Sequence, residues 1–486
     1  MKTLNTPPGA RRLITSLRDM GYSFSSSIAD LVDNSISASA TQIYVNIHAL
    51  EGILSPHVVI ADNGQGMNKE EIVESMRFGT EREYDLGELG KYGLGLKTAS
   101  LGQCEKLTVL SRKKNLNGEG GKINIVRWDL KKVERSNKWS LSEIDKKDLK
   151  PWEAEVTDHV VLQKNGTVIL WQDLSEKHLW MLDSNVTVRK RILEECQSEV
   201  RAYLRMVFHR FLNKRNGIKK VEVYVNGKKL TPWDPFALKQ CTKKLAEYEA
   251  YVTNQQTGKK MPVKFTPYIL PHKQEFSSYH DWQEVSGPNG WNRQQGLYIY
   301  RNNRLICSGS WNRLRRADEH TKLLRISVEF PSELDREFGV NITKMKAIIP
   351  QEIKESIRMK ISEWSGKARV RYDRGERKVK PEIAVHNKVK KNNATIHKFG
   401  KLEFQLSQAS SKIAVLKNHD GRNGLRFIVP LESEASRLFL DRNILNNNLA
   451  KVALVYHATI TALVDGKLMK NEIPLDDLTK QLLKHL

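Results

Sequence analysis

Several features that define other classes of protein are missing from this sequence of 486 residues. No apolar run reaches the ~20 residues that a membrane-spanning helix needs, and the longest, residues 452–464, is interrupted by His457. The N-terminal segment has charges and two prolines, but it lacks the apolar core of a secretory signal. The four cysteines are far apart and form no C-x-x-C pair, which argues against a zinc site or a disulfide framework. These absences predict a folded protein of the reducing cytoplasm with no membrane segment.

Acidic residues are in deficit, since 56 Asp and Glu face 80 Lys and Arg, and the formal net charge is +24. An excess of this size indicates a polyanionic partner, with nucleic acid first, although solubility alone is the alternative. Part of the excess lies between Lys367 and Lys401, where twelve basic side chains face three acidic ones. This composition predicts a basic linker or arm over residues 366–401.

The order of apolar and polar residues predicts a mixed α and β protein without internal repeats. Serines at 23, 25 and 26 precede a helical apolar pattern, which predicts a capped helix. Asn-containing turns within residues 221–230 and 297–306 predict two β-hairpins. Further strands are predicted at 43–47, 58–61, 106–111, 122–129, 167–171 and 324–330, and further helices at 69–78, 186–213 and 350–364.

The first segment with a chemical signature is Asp30-Leu-Val-Asp33-Asn34-Ser35. Asp30 and Asn34 are one helical turn apart, so they share a face of the predicted helix. A carboxylate and an amide on one face can position a water and hold a cation. Asp30 would be the general base and the Asn34 oxygen a ligand of Mg²⁺. Helix caps or surface groups are the alternative interpretation.

Two glycine-containing segments follow. Asp62-Asn-Gly-Gln-Gly-Met67 comes directly after a buried strand, where a carboxylate can accept the exocyclic amine of adenine and glycines permit close approach. An ordinary turn is the alternative. The segment from Gly87 to Thr98 leads into a helix predicted to begin near Gly95, and such a helix start offers N–H groups to phosphate. It is not a Walker A loop, because Leu96 stands where that loop requires Gly before Lys97, and no strand precedes it as in a Rossmann fold.

In chain order, these segments resemble the N, G1 and G2 boxes of the GHKL ATPases, the class of gyrase, heat-shock chaperones, histidine kinases and MutL. Asn165-Gly-Thr167 resembles the later strand that contacts the adenine side. The sequences DNGQGMNKEEIVESMRFGT and KYGLGLKTAS are similar to those of the microrchidia (MORC) ATPases and their bacterial MutL-like relatives. GLYIYRNNRLI and NITKMKAIIP resemble the transducer domain of this family, so the resemblance covers roughly residues 15–365.

The resemblance implies an α+β protein. Its GHKL (Bergerat) α/β sandwich ATPase domain would occupy residues 1–180, followed by a ribosomal-protein-like βαβ transducer domain over 181–365. The basic linker, 366–401, would join these to a small C-terminal α+β region of unknown role, 402–486.

The resemblance also implies ATP and Mg²⁺ as ligands. Asp62 would anchor adenine, Asn34 would hold Mg²⁺ as the metal ligand, and residues 90–97 would close over the phosphates as a lid. The nucleotide-binding residues predicted in this way are Asn34, Asp62, Gly64, Gly66, Met67, Gly90, Lys91, Tyr92, Gly93, Leu94, Gly95, Leu96, Lys97 and Thr167.

Two lysines are expected to offset the charge of the triphosphate, since phosphoryl transfer depends on such positioning. One is Lys97, and the other is the transducer lysine, predicted to be Lys346 with Lys344 as the alternative. The catalytic residues implied by the resemblance are therefore Asp30 and Lys346.

The first box departs from the family pattern at its catalytic position. The family has Glu as the general base where this sequence has Asp30, which is shorter by one methylene, a reach of ~1.5 Å. A misplacement of ~1 Å can cost on the order of a hundredfold in rate, so hydrolysis is expected to be slow. The Asp that the family carries a few residues later is Ser37 here. Asp33 is another carboxylate, but it points off the face that Asp30 shares with Asn34.

The function implied by the resemblance is an ATP-gated homodimeric clamp on DNA, with DNA favoured over RNA. The bacterial relatives suggest a restriction-like or anti-phage defence system, with a nuclease or restriction protein as partner. One alternative is an ATP sensor that does not hydrolyse and scaffolds a nuclease, and another is a chaperone-like ATPase, which has no need of a basic arm. A MutL-type endonuclease is disfavoured, because the C-terminal region shows no metal-ligating cluster.

Overall fold

The computed structural model describes the chain in segments, and two compact units, residues 1–380 and 381–486, are distinguished within it. We treat each unit by itself. The described residues are 9–18, 22–49, 51, 55–78, 95–115, 117–157, 165–213, 219–341, 344–379, 396–399, 402–407, 413–417, 425–430 and 472–473.

An eight-stranded sheet organises the N-terminal part of the first unit. Successive strand residues point to opposite faces, and the apolar residues of the sequence follow that alternation. Ile43, Val45 and Ile47 are all buried on one face, as their spacing predicts. The strands are β1 (Gln42–His48), β2 (His57–Asp62), β3 (Cys104–Lys114), β4 (Gly120–Asp129), β5 (Ser142–Glu143), β6 (Gly166–Leu174), β7 (Glu222–Val225) and β8 (Lys228–Lys229).

The strand order in this sheet is β5-β4-β3-β6-β2-β1-β7-β8. All pairs are antiparallel except β1 with β7, which are parallel. The predicted hairpin at 221–230 thus lies at the edge of the first sheet. The turn of this hairpin uses Asn226 and Gly227, both with positive φ (45° and 74°), as the Asn-Gly pair favours. The predicted domain boundary after residue 180 stays a prediction.

Helices pack against this sheet, and the predicted capped helix is one of them. Ser23 accepts the backbone N–H of Ser26 at its start, and Ile28, Leu31 and Val32 are fully buried against the sheet. The helices of this part are α1 (Ala10–Arg18), α2 (Phe24–Ser37), α3 (Lys69–Met76), α4 (Gly95–Leu101), α5 (Leu130–Ser136), α6 (Pro151–Thr157), α7 (Val186–Val207) and α8 (His209–Leu212).

A second sheet of six strands forms the rest of the first unit, and it has its own core. The predicted hairpin at 297–306 supplies two of its strands. Asn302 and Asn303 make its turn with φ of 46° and 67°. The elements are β9 (Lys243–Lys244), β10 (Tyr248–Thr253), β11 (Lys260–Ile269), α9 (Tyr279–Ser286), α10 (Gly290–Arg293), β12 (Gly296–Arg301), β13 (Arg304–Ser310), β14 (Leu324–Phe330) and α11 (Gln351–Val379).

The path through this sheet is β10-β11-β14-β12-β13, with β9 beside β11. The last helix, α11, packs on the sheet with Ile353, Ile357, Ile361 and Trp364 in the core. It runs past the helix predicted at 350–364 and takes in residues 366–379 of the segment predicted as a basic linker. Short 3-10 helices lie at Lys146–Asp148, Glu176–Leu182, Lys273–Glu275, Glu319–Thr321 and Ser332–Leu334.

The second unit contributes a five-stranded sheet with the order β15-β16-β18-β17-β19. The prediction of an α+β protein with a large sheet and a helical layer is confirmed, whereas the identity of the second sheet as a transducer stays a prediction. Within the described ranges, no helix combines the length and apolarity that crossing a membrane requires. The strands of the second unit are β15 (Ile396–Phe399), β16 (Leu402–Ser407), β17 (Ile413–Lys417), β18 (Leu425–Pro430) and β19 (Glu472–Ile473).

Candidate nucleotide-binding site

The carboxylate of Asp62 is buried at the carboxyl end of β2. Its Oδ1 accepts the backbone N–H of Gly64 at 2.8 Å, and its Oδ2 accepts the hydroxyl of Ser35 at 2.8 Å. Burial raises the pKa of Asp62 to about 6, while hydrogen bonds from Gly64, Ser35 and Thr167 oppose that rise. A carboxylate has about four acceptor positions, so this one can still accept a further donor such as the amine of adenine.

The glycines after Asp62 are required by close backbone packing. A Cβ at Gly64 would lie 2.8 Å from the carbonyl oxygen of Ala38. Gly66 has a φ of +67°, and a Cβ there would lie 1.8 Å from the carbonyl oxygen of Arg112. Only glycine therefore allows the loop to lie against its neighbours in this way.

Thr167 is the ladder partner of Asp62 across β2 and β6. Its Oγ1 is 2.9 Å from the Oγ of Ser111, and the same Ser111 oxygen accepts the backbone N–H of Met67 at 2.8 Å. The structure thus brings together three residues predicted for the nucleotide site, namely Asp62, Met67 and Thr167.

Asp30 is fully buried on α2, and both of its carboxylate oxygens are occupied. Oδ2 accepts the hydroxyl of Tyr22 at 2.7 Å, and Oδ1 accepts Nζ of Lys344 at 3.0 Å. Burial and the charge of Asp30 raise the pKa of Tyr22, so its hydroxyl stays a donor. A Cβ at Gly95 would lie 3.5 Å from Oδ2 of Asp30, which places this carboxylate beside the start of α4.

Asn34 lies one turn after Asp30 and is half-buried. Among the described residues, its side chain makes no hydrogen bond, so its amide oxygen is open to a ligand. Ser37, where the family carries an acidic residue, is exposed at the end of α2.

Asp33 is fully buried, and it pairs with two cations from the second sheet region. Nε of Arg304 lies 2.7 Å from Oδ2 of Asp33, and Nζ of Lys344 lies 2.9 Å from the same oxygen. Arg304 also approaches Asp30, with 3.8 Å between Nη2 and Oδ1. We call Asp30, Asp33, Arg304 and Lys344 the four-charge cluster, because two carboxylates and two cations balance within it. Burial raises the pKa of Asp33, and the charges of Arg304 and Lys344 oppose that rise.

The two candidate lysines are placed differently. Lys344 has a left-handed backbone (φ 49°) and is buried, whereas Lys346 is exposed. The side chain of Asn341 accepts the backbone N–H groups of Met345 and Lys346, which fixes the turn. Lys344, the alternative in the sequence analysis, is therefore the lysine that contacts Asp30.

Lys97 is buried at the start of α4, and its ammonium is held by backbone. Nζ donates to the carbonyl oxygens of Ser75 at 3.0 Å and Arg77 at 2.6 Å, at the end of α3. Burial lowers the pKa of Lys97 to about 8, with Glu74 acting in the opposite direction. In this arrangement Lys97 fastens α3 to α4, and its predicted contact with phosphate stays a prediction.

The remaining predicted nucleotide residues divide into two groups. Gly95 and Leu96 open α4 and are half-buried. The others lie outside the described residues, and they are Gly90, Lys91, Tyr92, Gly93 and Leu94.

Four residues of the site were not predicted: Tyr22, Ser35, Ser111 and Arg304. Ser35 follows Asn34 directly and lies one turn after Leu31 on α2. This position was the sequence signal that could have identified it. Arg304 stands within the quoted segment YRNNRLI, but its partner Asp33 is 271 residues away in sequence. No local pattern links such a pair.

Parts of the chain are similar to known proteins. Residues 22–167 match the family described as histidine kinase-, DNA gyrase B- and HSP90-like ATPase. Protein MICRORCHIDIA 5 of Arabidopsis thaliana is 33% identical over 97 residues, which are 19% of this chain and 14% of that protein. The chain thus matches about a seventh of its curated relative.

A crystal structure of the N-terminal domain of a DNA repair protein aligns with 76% of this chain and 99% of its own length. The TM-score is 0.40 and the sequence identity is 16%. The match over residues 22–167 includes Asp30, Asn34, Asp62 and Thr167. Residues 22–167 are therefore similar to the GHKL ATPases, and a shorter part of the chain is similar to a microrchidia protein.

Proposed function

We propose that the chain binds ATP with Mg²⁺ and hydrolyses it slowly, and that the nucleotide controls a dimeric clamp on DNA. The observation that carries the proposal is the contact between Lys344 and Asp30. It joins a cation of the second sheet region to the residue at the position of the family's general base. The two residues are 314 positions apart in sequence.

The residues around Asp62 fit an adenine nucleotide. The buried carboxylate would accept the exocyclic amine, and Thr167 lies beside it on the neighbouring strand. Asn34 would hold Mg²⁺, since a half-buried amide oxygen with no partner among the described residues suits a hard cation. Mg²⁺ would offset the negative charge of the phosphates.

Asp30 is proposed as the general base, acting on a water near the terminal phosphate. Tyr22 and Lys344 occupy both of its oxygens, so the carboxylate becomes a base only when Lys344 turns to the phosphate. We therefore propose Lys344 in place of Lys346 as the lysine that reaches the terminal phosphate. The shorter Asp side chain and this occupancy both support slow turnover.

The same observations favour a second candidate, a nucleotide sensor that binds ATP without turnover and scaffolds a nuclease. Steady-state phosphate release separates the two candidates. The proposed ATPase releases phosphate, and Asp30→Ala abolishes the release, while a matched surface variant, Asp318→Ala, keeps it. ATP binding without release in the wild type would leave only the sensor.

The DNA clamp is supported by the net charge of +24 and by the basic residues from 367 to 401. Sedimentation with a non-hydrolysable ATP analogue should show the mass of a dimer, and no change in mass would contradict the clamp. DNA affinity should fall steeply with salt, because each phosphate contact releases counterions. Salt-independent or absent binding would favour a chaperone-like ATPase.

A role in a restriction-like defence system, with a nuclease partner, is the broader proposal. It rests on the resemblance to bacterial MutL-like relatives. Co-purification of the chain with a nuclease in the presence of ATP would support it. Purification of the chain without a partner, whether or not ATP is present, would contradict it.

A further inference from the structure

Among the described residues, Arg304 is the only member of the four-charge cluster that contacts both α2 and the main chain of Lys344, and it does so through two different nitrogen atoms. Nε donates to Asp33 on α2, and Nη1 donates to the carbonyl oxygen of Lys344 at 3.1 Å. Its side chain is 1% exposed. Arg304 therefore fixes the main chain of Lys344 as well as the carboxylate next to it.

The contact from Arg304 holds the backbone of Lys344 in an unfavourable conformation. A lysine with a positive φ is strained, because its Cβ crowds the backbone in the left-handed region. Its φ of 49° turns the side chain towards Asp30 and Asp33, and the carbonyl held by Arg304 belongs to this same residue. The strained conformation and the guanidinium contact together aim the ammonium at α2.

Charge balance gives Arg304 a second task. Lys344 is shared between Asp30 and Asp33, so its departure would leave two buried carboxylates if no other cation were present. A buried charge without a partner is very unfavourable. Because Arg304 stays with Asp33, only Asp30 loses its cation when Lys344 moves.

The Nη2 atom of Arg304 lies near the carboxylate of Asp30 that loses its cation when Lys344 moves. It is buried and has no hydrogen-bond partner among the described residues, although it lies 3.8 Å from Oδ1 of Asp30. A small shift would let it donate to that oxygen after Lys344 has left. The cluster thus holds a reserve donor for Asp30.

We propose that Arg304 is a positioning residue that holds Asp33 and the Lys344 main chain, so that the Lys344 ammonium can exchange Asp30 for the terminal phosphate of ATP. The inference rests on the proposed nucleotide-binding function. It assigns to Arg304 a measurable role in distinguishing ATP from ADP, because only ATP presents the terminal phosphate.

The test is the ratio of ATP to ADP affinity, measured by calorimetry on the full chain. The ratio does not depend on the fraction of folded protein, so it separates positioning from mere support of the fold. Arg304→Gln leaves Asp33 to Lys344 alone, and the ratio should fall at least about tenfold, the factor that ~1.4 kcal/mol represents. Arg304→Lys keeps a cation and should recover part of the ratio.

Asp33→Asn is the matched variant with the opposite expectation. It removes one carboxylate that competes for Lys344, so the ratio should rise above that of the wild type. A loss of packing cannot produce this rise, and the variant also serves if Arg304→Gln does not fold. The double variant Asp33→Asn with Arg304→Gln should return the ratio to within about threefold of the wild type, since the charges balance again.

The outcomes separate the two proposals. If the wild type binds neither nucleotide, the proposed function fails. If the wild type prefers ATP and Arg304→Gln weakens ATP and ADP equally, the function stands and the role of Arg304 is overturned. A fall of the ratio in Asp33→Asn would overturn it as well.

Discussion

The four-charge cluster and the basic side chains of α11 both consist of ion pairs, but they differ in how much water reaches them. The side chains of Arg304 and Asp33 are 1% and 0% exposed, whereas those of Arg369 and Asp318 on the surface of the second sheet region are 53% and 29% exposed. In the buried cluster, each charge depends on its partner, because water does not replace a partner that is lost there. At the surface, water replaces a lost partner, and a pair contributes little.

Part of the basic segment is already paired with acidic side chains. Three of its cations, Lys367, Arg369 and Arg371, pair with Glu363, Asp318 and Glu275 within the first unit. Their charge is therefore partly offset before any polyanion arrives. The net charge counted along the sequence therefore overstates the positive charge that this part of α11 would present to DNA.

The largest expected effect is on folding stability, from Lys344→Met. It leaves Asp30 and Asp33 with Arg304 alone, and the free energy of unfolding should fall by about 3–5 kcal/mol, as for other broken buried pairs. Denaturant unfolding measures the change. The double variant with Asp30→Asn should lose clearly less, because it removes the stranded charge together with its partner. A loss below about 1 kcal/mol for Lys344→Met would place the cluster with ordinary surface pairs.

The next effect is on catalysis, from Asp30→Asn. The amide keeps the shape of the side chain but cannot accept a proton, so phosphate release should fall at least about a hundredfold. ATP affinity, measured by calorimetry, should change much less. Release that continues at the wild-type rate would show that another group is the base. Asp33→Asn is a comparison variant for that case.

A smaller effect is the pH dependence of ATP affinity. The pKa of Asp62 is raised to about 6, and the proposed contact with the adenine amine requires the ionised form. Affinity should therefore be constant above pH 6 and fall about tenfold per pH unit below it. ATP itself titrates in this range, so the measure is the ratio of wild-type to Asp62→Asn affinity at each pH. A ratio that stays flat between pH 5 and 7 would contradict this assignment.

The same pKa fixes the sign of a stability effect. The unfolded carboxyl of Asp62 loses its proton near its ordinary pKa of 3.8, and the folded one loses it near 6. The folded state therefore binds the proton more tightly, and the contribution of Asp62 to stability decreases as pH rises through this window.

The smallest effect is expected at the surface. Arg369→Gln removes the pair with Asp318, which water can replace, so the free energy of unfolding should change by less than about 1 kcal/mol. Thermal and denaturant unfolding beside Lys344→Met would make the comparison direct. A loss as large as that of the buried variant would mean that exposure does not separate the two groups of ion pairs.

Much of the first sheet region could be predicted because its signals are local. The Ser23 cap, the alternation in β1 and the buried β2 before Asp62 all lie within a few residues of the features they specify. Asp62 and Thr167 were both predicted for one site, and they are ladder partners. The sequence predicts the end of α11 too early, because the basic composition favours a linker, whereas Arg369 and Arg371 pair with neighbouring acids.

The choice between Lys344 and Lys346 could not be made from the sequence. Two residues apart in an irregular segment, either side chain could face α2. The left-handed backbone of Lys344 and the Asn341 turn settle the direction, and neither has a firm sequence signal.

The sequence by itself determined the similarity to the GHKL ATPases, since the matching boxes are contiguous segments whose glycines, carboxylates and amides have fixed spacing. Only the tertiary structure decided which cations meet Asp30 and Asp33. Arg304 and Lys344 lie 271 and 311 residues from Asp33, and they reach it because the second sheet region packs its β13 edge and the Lys344 turn against α2. Periodicity and propensity act over a few residues. Charge balance in a buried site is set by the whole fold, because each buried charge must find its partner wherever the chain brings one.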